Sequence, residues 1–251
     1  MPQQTPTTAV DRDAYQRDGY VSDLTVFTPS EAAEIQARFD ALEAREGRDI
    51  SRIGLVNRHE TDPFVWELAS HPRILDVLQA LVGPDLLLIG THFFCKYPDP
   101  AAYVAWHQDV TYWGLEPAVA HTAWLSIDGA DVENGCMRVI PGSHHGGLLE
   151  HRTQSGDGNL LSVQQHVDPA LFDPSSARDI VLAAGQMSVH HGVLLHGSNP
   201  NQSSRRRCGL TLRYVTPDVR QTRANTMAKP WSAICVRGSD RHGHFPVGTH
   251  P

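Results

Sequence analysis

Two short segments of this chain hold residue types whose spacing could build a metal site. In a β-strand, residues two apart face the same side, so His107-Gln108-Asp109 can set an imidazole and a carboxylate against one cation. With 15 His and 19 Asp in 251 residues, a His-x-Asp step is expected about once by chance. It occurs twice, the second time as His166-Val167-Asp168. Asp168 is followed by Pro169 and ALFDPSS, so its backbone is leaving a strand and its carboxylate reads as a solvated turn residue. His107 follows AAYVAW, a plausible strand, and precedes VTYWGL, whose aromatic residues can wall a pocket. The first pair is therefore the candidate.

A third ligand is expected from GQMSVHHGVLLHGSNPNQSSRRRCGLTLRY. His196 ends an apolar run and precedes Gly197-Ser198-Asn199-Pro200, a turn cluster that would expose it at a strand end. Beyond the turn, Arg207, Gly209, Thr211 and Arg213 alternate with Cys208, Leu210, Leu212 and Tyr214, so one face of that strand is polar and can line a site. Two His and one carboxylate with open positions form the facial triad of non-haem Fe(II) oxygenases. Arg207 could then clamp the far carboxylate of an organic co-substrate through two parallel hydrogen bonds. The same ligands also suit Zn(II) with a water, as in a hydrolase, or a metal-binding protein without catalysis. His190 and His191 sit in an apolar strand and are expected to be packed or hydrogen-bonded, with His190 sharing the parity of His196. Trp106, Tyr112, Trp113 and Arg213 are candidate substrate contacts. Lys96, in FFCKYP, is a candidate contact for an anionic substrate or co-substrate. Asn134-Gly135 reads as hairpin-turn chemistry.

The elements that must position these residues follow from periodicity. Thr28, Pro29 and Glu31 form a helix start with a capping box, and Ala32, Ile35, Phe39 and Leu42 recur at helical spacing before Gly47. A shorter amphipathic segment surrounds Tyr15, another helical piece starts at Asp62-Pro63, and HPRILDVLQALVG ends at Gly83-Pro84. Residues 11–83 thus read as a helical N-terminal part. After Pro84, short β-branched and aromatic runs alternate with turn residues, giving strands at 86–97, 102–110, 121–128, 136–140, 159–166, 179–182, 186–195 and 207–216. About eight strands without long intervening helices predict a double-sheet barrel over 85–217. The stretch 150–158 and the tail 218–251 read as loops, with 150–158 and 221–251 as candidate lids.

Composition bounds the rest. One domain suffices for 251 residues, and a net charge of −7 without a basic run argues against nucleic acid. The longest aliphatic stretch, Leu86 to Ile89, is far short of a membrane span, and MPQQTPTTAV lacks the regions of a signal peptide. A cytoplasmic, soluble protein is expected, its four scattered cysteines reduced and mostly packing.

With these motifs assembled, the chain over residues 11–217 resembles the phytanoyl-CoA dioxygenase family of Fe(II)- and 2-oxoglutarate-dependent oxygenases. WHQD matches the family's first iron-binding His and Asp at His107 and Asp109. HGSNPNQSSRRR matches the second iron-binding His at His196 and the 2-oxoglutarate-binding Arg at Arg207. TAWLSIDGADVENGCMRVIPGSH is similar to the family's central strands and hairpin, which places Trp124 beside the co-substrate. The resemblance implies a mainly β protein with N-terminal helices, a double-stranded β-helix or jelly roll. It implies Fe(II), 2-oxoglutarate and O2 as cofactor and co-substrates, with Arg207, Trp124 and Ser198 holding the keto acid. It further implies oxidation of a substrate C–H with release of succinate and CO2. Because Asp109 fills the position that a small residue occupies in halogenating relatives, hydroxylation or a related oxidation is expected. Arg207, Arg213 and Lys96 tilt the expected substrate toward a small anionic or zwitterionic molecule, such as an amino acid, an aminoalkylphosphonate or a natural-product intermediate.

Overall fold

The computed structural model describes residues 10–153, 158–161, 163–223 and 230–251. Five α-helices belong to the N-terminal part: α1 (Arg12–Asp18), α2 (Pro29–Glu46), α3 (Arg48–Ile53), α4 (Pro63–Ala69) and α5 (Pro72–Val82). The strands, in chain order, are β1 (Tyr20–Thr25), β2 (Leu86–Lys96), β3 (Val104–His107), β4 (Leu115–Glu116), β5 (His121–Ser126), β6 (Met137–Val139) and β7 (His151–Thr153). They continue with β8 (Gln165–Val167), β9 (Arg178–Ile180), β10 (Gln186–His191), β11 (His196–Ser198), β12 (Arg207–Val215), β13 (Arg220–Gln221) and β14 (Ile234–Arg237). A six-stranded sheet runs β1-β10-β5-β12-β2-β14 and a four-stranded sheet runs β3-β11-β6-β9. Every named strand pair is antiparallel. The result is the expected jelly roll with N-terminal helices.

Alternation in the large sheet separates core from site. Ala123 and Leu125 of β5, Met187 and Val189 of β10, and Cys208, Leu210, Leu212 and Tyr214 of β12 are buried in one core. Phe39 and Leu42 of α2 and Ile74 and Leu78 of α5 complete that core, so the helices cover the outer face. The opposite parity, Trp124, Arg207, Thr211, Arg213 and His190, faces a cavity shared with His107, Val104, His196 and Ser198 of the small sheet. Helix α2 starts where its sequence dictates. Thr28 Oγ1 accepts from the Glu31 amide at 3.3 Å, and a Glu31 carboxylate oxygen accepts from the Thr28 amide at 2.8 Å. The same carboxylate pairs with Arg73 of α5 at 2.6 Å, tying the two helices together.

Several expectations are corrected. The N-terminal part is not wholly helical, because Tyr20–Thr25 pairs with β10 as the edge of the large sheet. The tail is not all loop: Ile234–Arg237 pairs with β2 at the other edge, and Arg220–Gln221 pairs with β4. These polar or exposed edge segments are specified by their partners and carry weak local periodicity. The strand expected at 102–110 stops at His107, and Asp109–Tyr112 forms a 3-10 turn. The strand expected at 159–166 reduces to Gln165–Val167. The run 186–195 is broken after His191, so His196 opens a strand of its own and is buried at 7% exposure. Of the two candidate lids, residues 154–157 and 224–229 lie outside the described residues. All four cysteines are free, and Cys95, Cys136 and Cys208 are buried. No helix among the described residues is long and apolar enough to cross a membrane.

Candidate metal centre

His107 ends β3 and His196 opens β11, and the two residues face each other across that antiparallel pair. Their ring centroids are 4.1 Å apart. His107 Nδ1 lies 2.9 Å from the Ala105 carbonyl and His196 Nδ1 lies 2.9 Å from the Leu194 carbonyl. A carbonyl only accepts, so both rings carry their proton on Nδ1 and present an Nε2 lone pair. The 3-10 turn after β3 swings Asp109 back toward them, with Oδ1 3.7 Å from His107 Nε2 and 3.9 Å from His196 Nε2. Asp109 Oδ2 accepts from Thr122 Oγ1 at 2.9 Å and faces His190 Nε2 at 3.4 Å. One carboxylate oxygen is thus anchored to the large sheet while the other is left for the histidines.

Burial alone would raise the Asp109 carboxyl. Contacts with the His107 and His190 rings and the charge of the Arg213 guanidinium nevertheless hold it well below the usual carboxylate range. Burial, reinforced by His107 and His190, pushes the His196 imidazole well below its usual range, so it stays neutral. Two nitrogen lone pairs and an anionic oxygen converge, with all three ligand atoms within 4.8 Å of one another. Such a cluster is satisfied by one cation, and two imidazoles with one carboxylate suit a first-row divalent metal.

A second feature adjoins the triad. Arg207 of β12 stands opposite Lys96 of β2. Both are buried, and Arg207 Nε has no hydrogen-bond partner. The guanidinium carbon lies 5.5 Å from the Trp124 ring centroid. Lys96 Nζ donates to Ser198 Oγ at 2.5 Å and to the Asn199 carbonyl. Burial, then the Arg207 cation, pushes the Lys96 ammonium down to about 6, and burial lowers Arg207. Among the described residues neither side chain has an acid within ion-pair distance, so Lys96 sheds its proton readily and Arg207 stays an unpaired cation, a costly state unless an anion arrives. The neighbours behave differently. Arg206, on the other face, pairs with Asp40, Glu43 and Asp128, and Arg205 pairs with Asp131 and Glu133 at the surface. The parity of the RRR run is thereby fixed, with Arg207 inward.

The remaining sequence candidates divide. Tyr112, Trp113 and Arg213 line a second chamber with His92 and Gln165, and this chamber shares His107, Asp109 and Phe94 with the first. Trp106 is not brought into either: it lies across β3 from His107, lining a separate cleft, with its ring 5.3 Å from Phe172. Asp168 caps the 3-10 turn Pro169–Leu171 and pairs with Arg152. Asn134 closes its turn by bonding Asp131 and the Gly129 carbonyl, and Gly135 has φ of 77°. Sequence reasoning missed Thr122, whose hydroxyl orients Asp109, and Gly209, the residue under Trp124. Period-two parity with Trp124 was the signal that could have found Thr122.

Fold and site together define a metal-binding double-stranded β-helix protein with a 2-His-1-carboxylate cluster. Residues 15–209 match the family model for phytanoyl-CoA dioxygenase, and the chain belongs to this family. It is 27% identical over 199 residues to a probable phytanoyl-CoA dioxygenase of Caenorhabditis elegans, covering 74% of this chain and 63% of that protein. It is also 27% identical over 229 residues to a probable alpha-ketoglutarate-dependent hypophosphite dioxygenase of Stutzerimonas stutzeri, covering 82% and 77%. The solved structure of the non-heme monooxygenase ThoJ, in its apo form, superposes with a TM-score of 0.78 at 31% identity, covering 96% of this chain and 88% of that one. The chain therefore spans nearly the length of some relatives and less than two thirds of the nematode protein.

Proposed function

We propose that this protein is an Fe(II)- and 2-oxoglutarate-dependent oxygenase, acting as one domain on a small anionic or zwitterionic metabolite. The observation that carries this is the pair of buried basic side chains without an acid partner, Arg207 and Lys96, beside a buried His2Asp cluster. His107, Asp109 and His196 would hold Fe(II) in the cavity that Arg207 also lines, where the keto acid would bind. When bound, the metal supplies oxidation of a substrate C–H by O2, coupled to decarboxylation of 2-oxoglutarate to succinate and CO2.

The chain's own residues orient and enclose. Arg207, stacked on Trp124, would take the distal carboxylate of the keto acid through charge-assisted hydrogen bonds. Lys96 and Ser198 complete that end, the ammonium regaining its proton when a dianion lies beside it. Thr122 and His190 fix Asp109 so that only Oδ1 turns to the metal. Phe94, Val104, Met137 and Leu161 line the cavity with apolar surface, which excludes water from the oxidant. The alpha-ketoglutarate dependence and the small inorganic anion named for the Stutzerimonas stutzeri relative support both the co-substrate and the substrate class.

Anaerobic titration with Fe(II) and 2-oxoglutarate tests the proposal. A weak visible charge-transfer band is expected in the wild type and lost in His107→Ala, His196→Ala and Arg207→Met. Wild-type protein that binds Zn(II) but gives no band with Fe(II) and 2-oxoglutarate would remove the assignment.

A further inference from the structure

The polar face of β12 carries a second guanidinium that the proposed function leaves unused. Arg213 lies six residues from Arg207 on the same inward face, about 20 Å away along the strand. It is opposite Thr122 of β5, which is opposite His190 of β10. Arg213 therefore stands in the row of residues on which the Asp109 carboxylate rests, while Arg207 is at the far end of the cavity.

Arg213 is 9% exposed and its Nε has no partner. Among the described residues no carboxylate lies within ion-pair distance of it. Asp109 is the carboxylate whose charge reaches Arg213, but it forms no ion pair with it, because its Oδ2 is taken by Thr122 and His190 and its Oδ1 faces the two ligand histidines. The guanidinium carbon lies 5.1 Å from the Trp113 ring centroid, much as Arg207 lies 5.5 Å from that of Trp124. The triad is thus accompanied by two buried, tryptophan-stacked, acid-free guanidinium groups.

Charge makes the two inequivalent. On the proposed function, which this inference rests on, an iron(II) ion, the Asp109 carboxylate, a 2-oxoglutarate dianion, the Arg207 guanidinium and the reprotonated Lys96 ammonium leave one net positive charge before Arg213 is counted. With the Asp109 charge shared with the metal, Arg213 is left as a buried cation without an ion-pair partner, a state that a further anion would relieve. With its Nε unpartnered, this guanidinium keeps N–H donors free, and a fork of two N–H groups matches the two oxygens of a carboxylate. The chamber at this end adds Tyr112 and Gln165 as polar groups, and Phe94, Leu161 and Val163 as apolar wall. His92 contributes no competing charge there, since its Nε2 is bonded to the Ile53 carbonyl at 2.7 Å and burial keeps the ring neutral.

We propose that Arg213, backed by Trp113, anchors a carboxylate of the substrate in the chamber next to Asp109, so that the enzyme acts on small carboxylic acids with an apolar body.

Calorimetric titration of the Mn(II)- and 2-oxoglutarate-loaded protein tests this with benzoate, 3-phenylpropionate and the corresponding amides as probes. At least one of the two acids is expected to bind saturably, its amide is expected to bind at least 30-fold more weakly, and Arg213→Met is expected to weaken the acid at least 30-fold. Arg213→Lys should recover part of the loss. In each variant, retained binding of Mn(II) and 2-oxoglutarate shows that the fold and the metal site are intact, and Arg213→Gln replaces Arg213→Met if the latter does not fold. An acid that binds the variants as tightly as the wild type would overturn the anchor, and so would amides that bind as well as acids, or no binding of either acid to the wild type. Failure of the wild type to bind Mn(II) and 2-oxoglutarate would instead overturn the proposed function.

Discussion

Replacing Gly209 by alanine isolates the contact that holds Trp124 under Arg207. A Cβ at this position would lie 2.0 Å from Trp124 Cζ2, 2.3 Å from Cε2 and 2.6 Å from Cη2. Ordinary carbon contacts need about 3.5 Å, so the indole must retreat by roughly 1.5 Å. Trp124 is 4% exposed and packs with Met137, Val139 and Leu194, which leaves it little room. Overpacking of this kind costs about 1–3 kcal/mol, a fall of roughly 3–10 °C in Tm for a chain of this size. Displacing the ring also removes a desolvated cation–π contact worth about 2 kcal/mol, so the 2-oxoglutarate dissociation constant should rise roughly 10- to 30-fold. Differential scanning fluorimetry and calorimetric titration with 2-oxoglutarate measure the two effects. Gly146→Ala is the control, since a Cβ there meets nothing within 4 Å. A Gly209→Ala protein with wild-type Tm and wild-type 2-oxoglutarate affinity would refute the role given to this close approach.

Arg207→Met should weaken 2-oxoglutarate binding by roughly 30- to 1000-fold, the equivalent of about 2–4 kcal/mol, while leaving Mn(II) binding nearly unchanged. Arg205→Met, whose guanidinium pairs with Asp131 and Glu133 at the surface, should do little, and the reverse pattern would show that the inward residue is misassigned. Thr122→Val frees Asp109 Oδ2 from its 2.9 Å hydrogen bond and should cost roughly 10- to 100-fold in Mn(II) affinity by electron paramagnetic resonance titration; an unchanged affinity counts against the orienting role. Lys96 sits near 6 because of burial and Arg207, and a dianion beside it raises that value, so binding takes up a proton above pH 6. The affinity for 2-oxoglutarate should therefore fall as pH rises from 6 to 8, Lys96→Met should flatten that dependence, and a pH-independent wild type would contradict it.

What the sequence determined by itself was local and periodic. The capping box at Thr28 and the spacing of Ile35, Phe39 and Leu42 define α2 because a helix start and a buried stripe are written within one segment. Alternation likewise assigns Arg207, Gly209, Thr211 and Arg213 to one face of β12, since parity needs only neighbouring residues. The triad residues His107, Asp109 and His196 were legible as types and spacings, and the structure brings them within reach of one ion. Tertiary structure decided how. Asp109 meets the histidines from a 3-10 turn and not along a strand, and His196 begins a strand whose register against β3 sets it opposite His107. Edge strands β1 and β14 are made by their neighbours, because a short segment flanked by loop gains a strand's hydrogen bonds only where a partner ladder is already present. The surroundings of Lys96, Thr122 and Trp106 were also decided by the fold. Chain separations of 102 residues for Lys96 and Ser198, and 13 for Thr122 and Asp109, close to hydrogen bonds, whereas Trp106, one residue from His107, is turned away by the pleat. Which cations lack an acid is a property of the folded interior alone, and no sequence spacing encodes it.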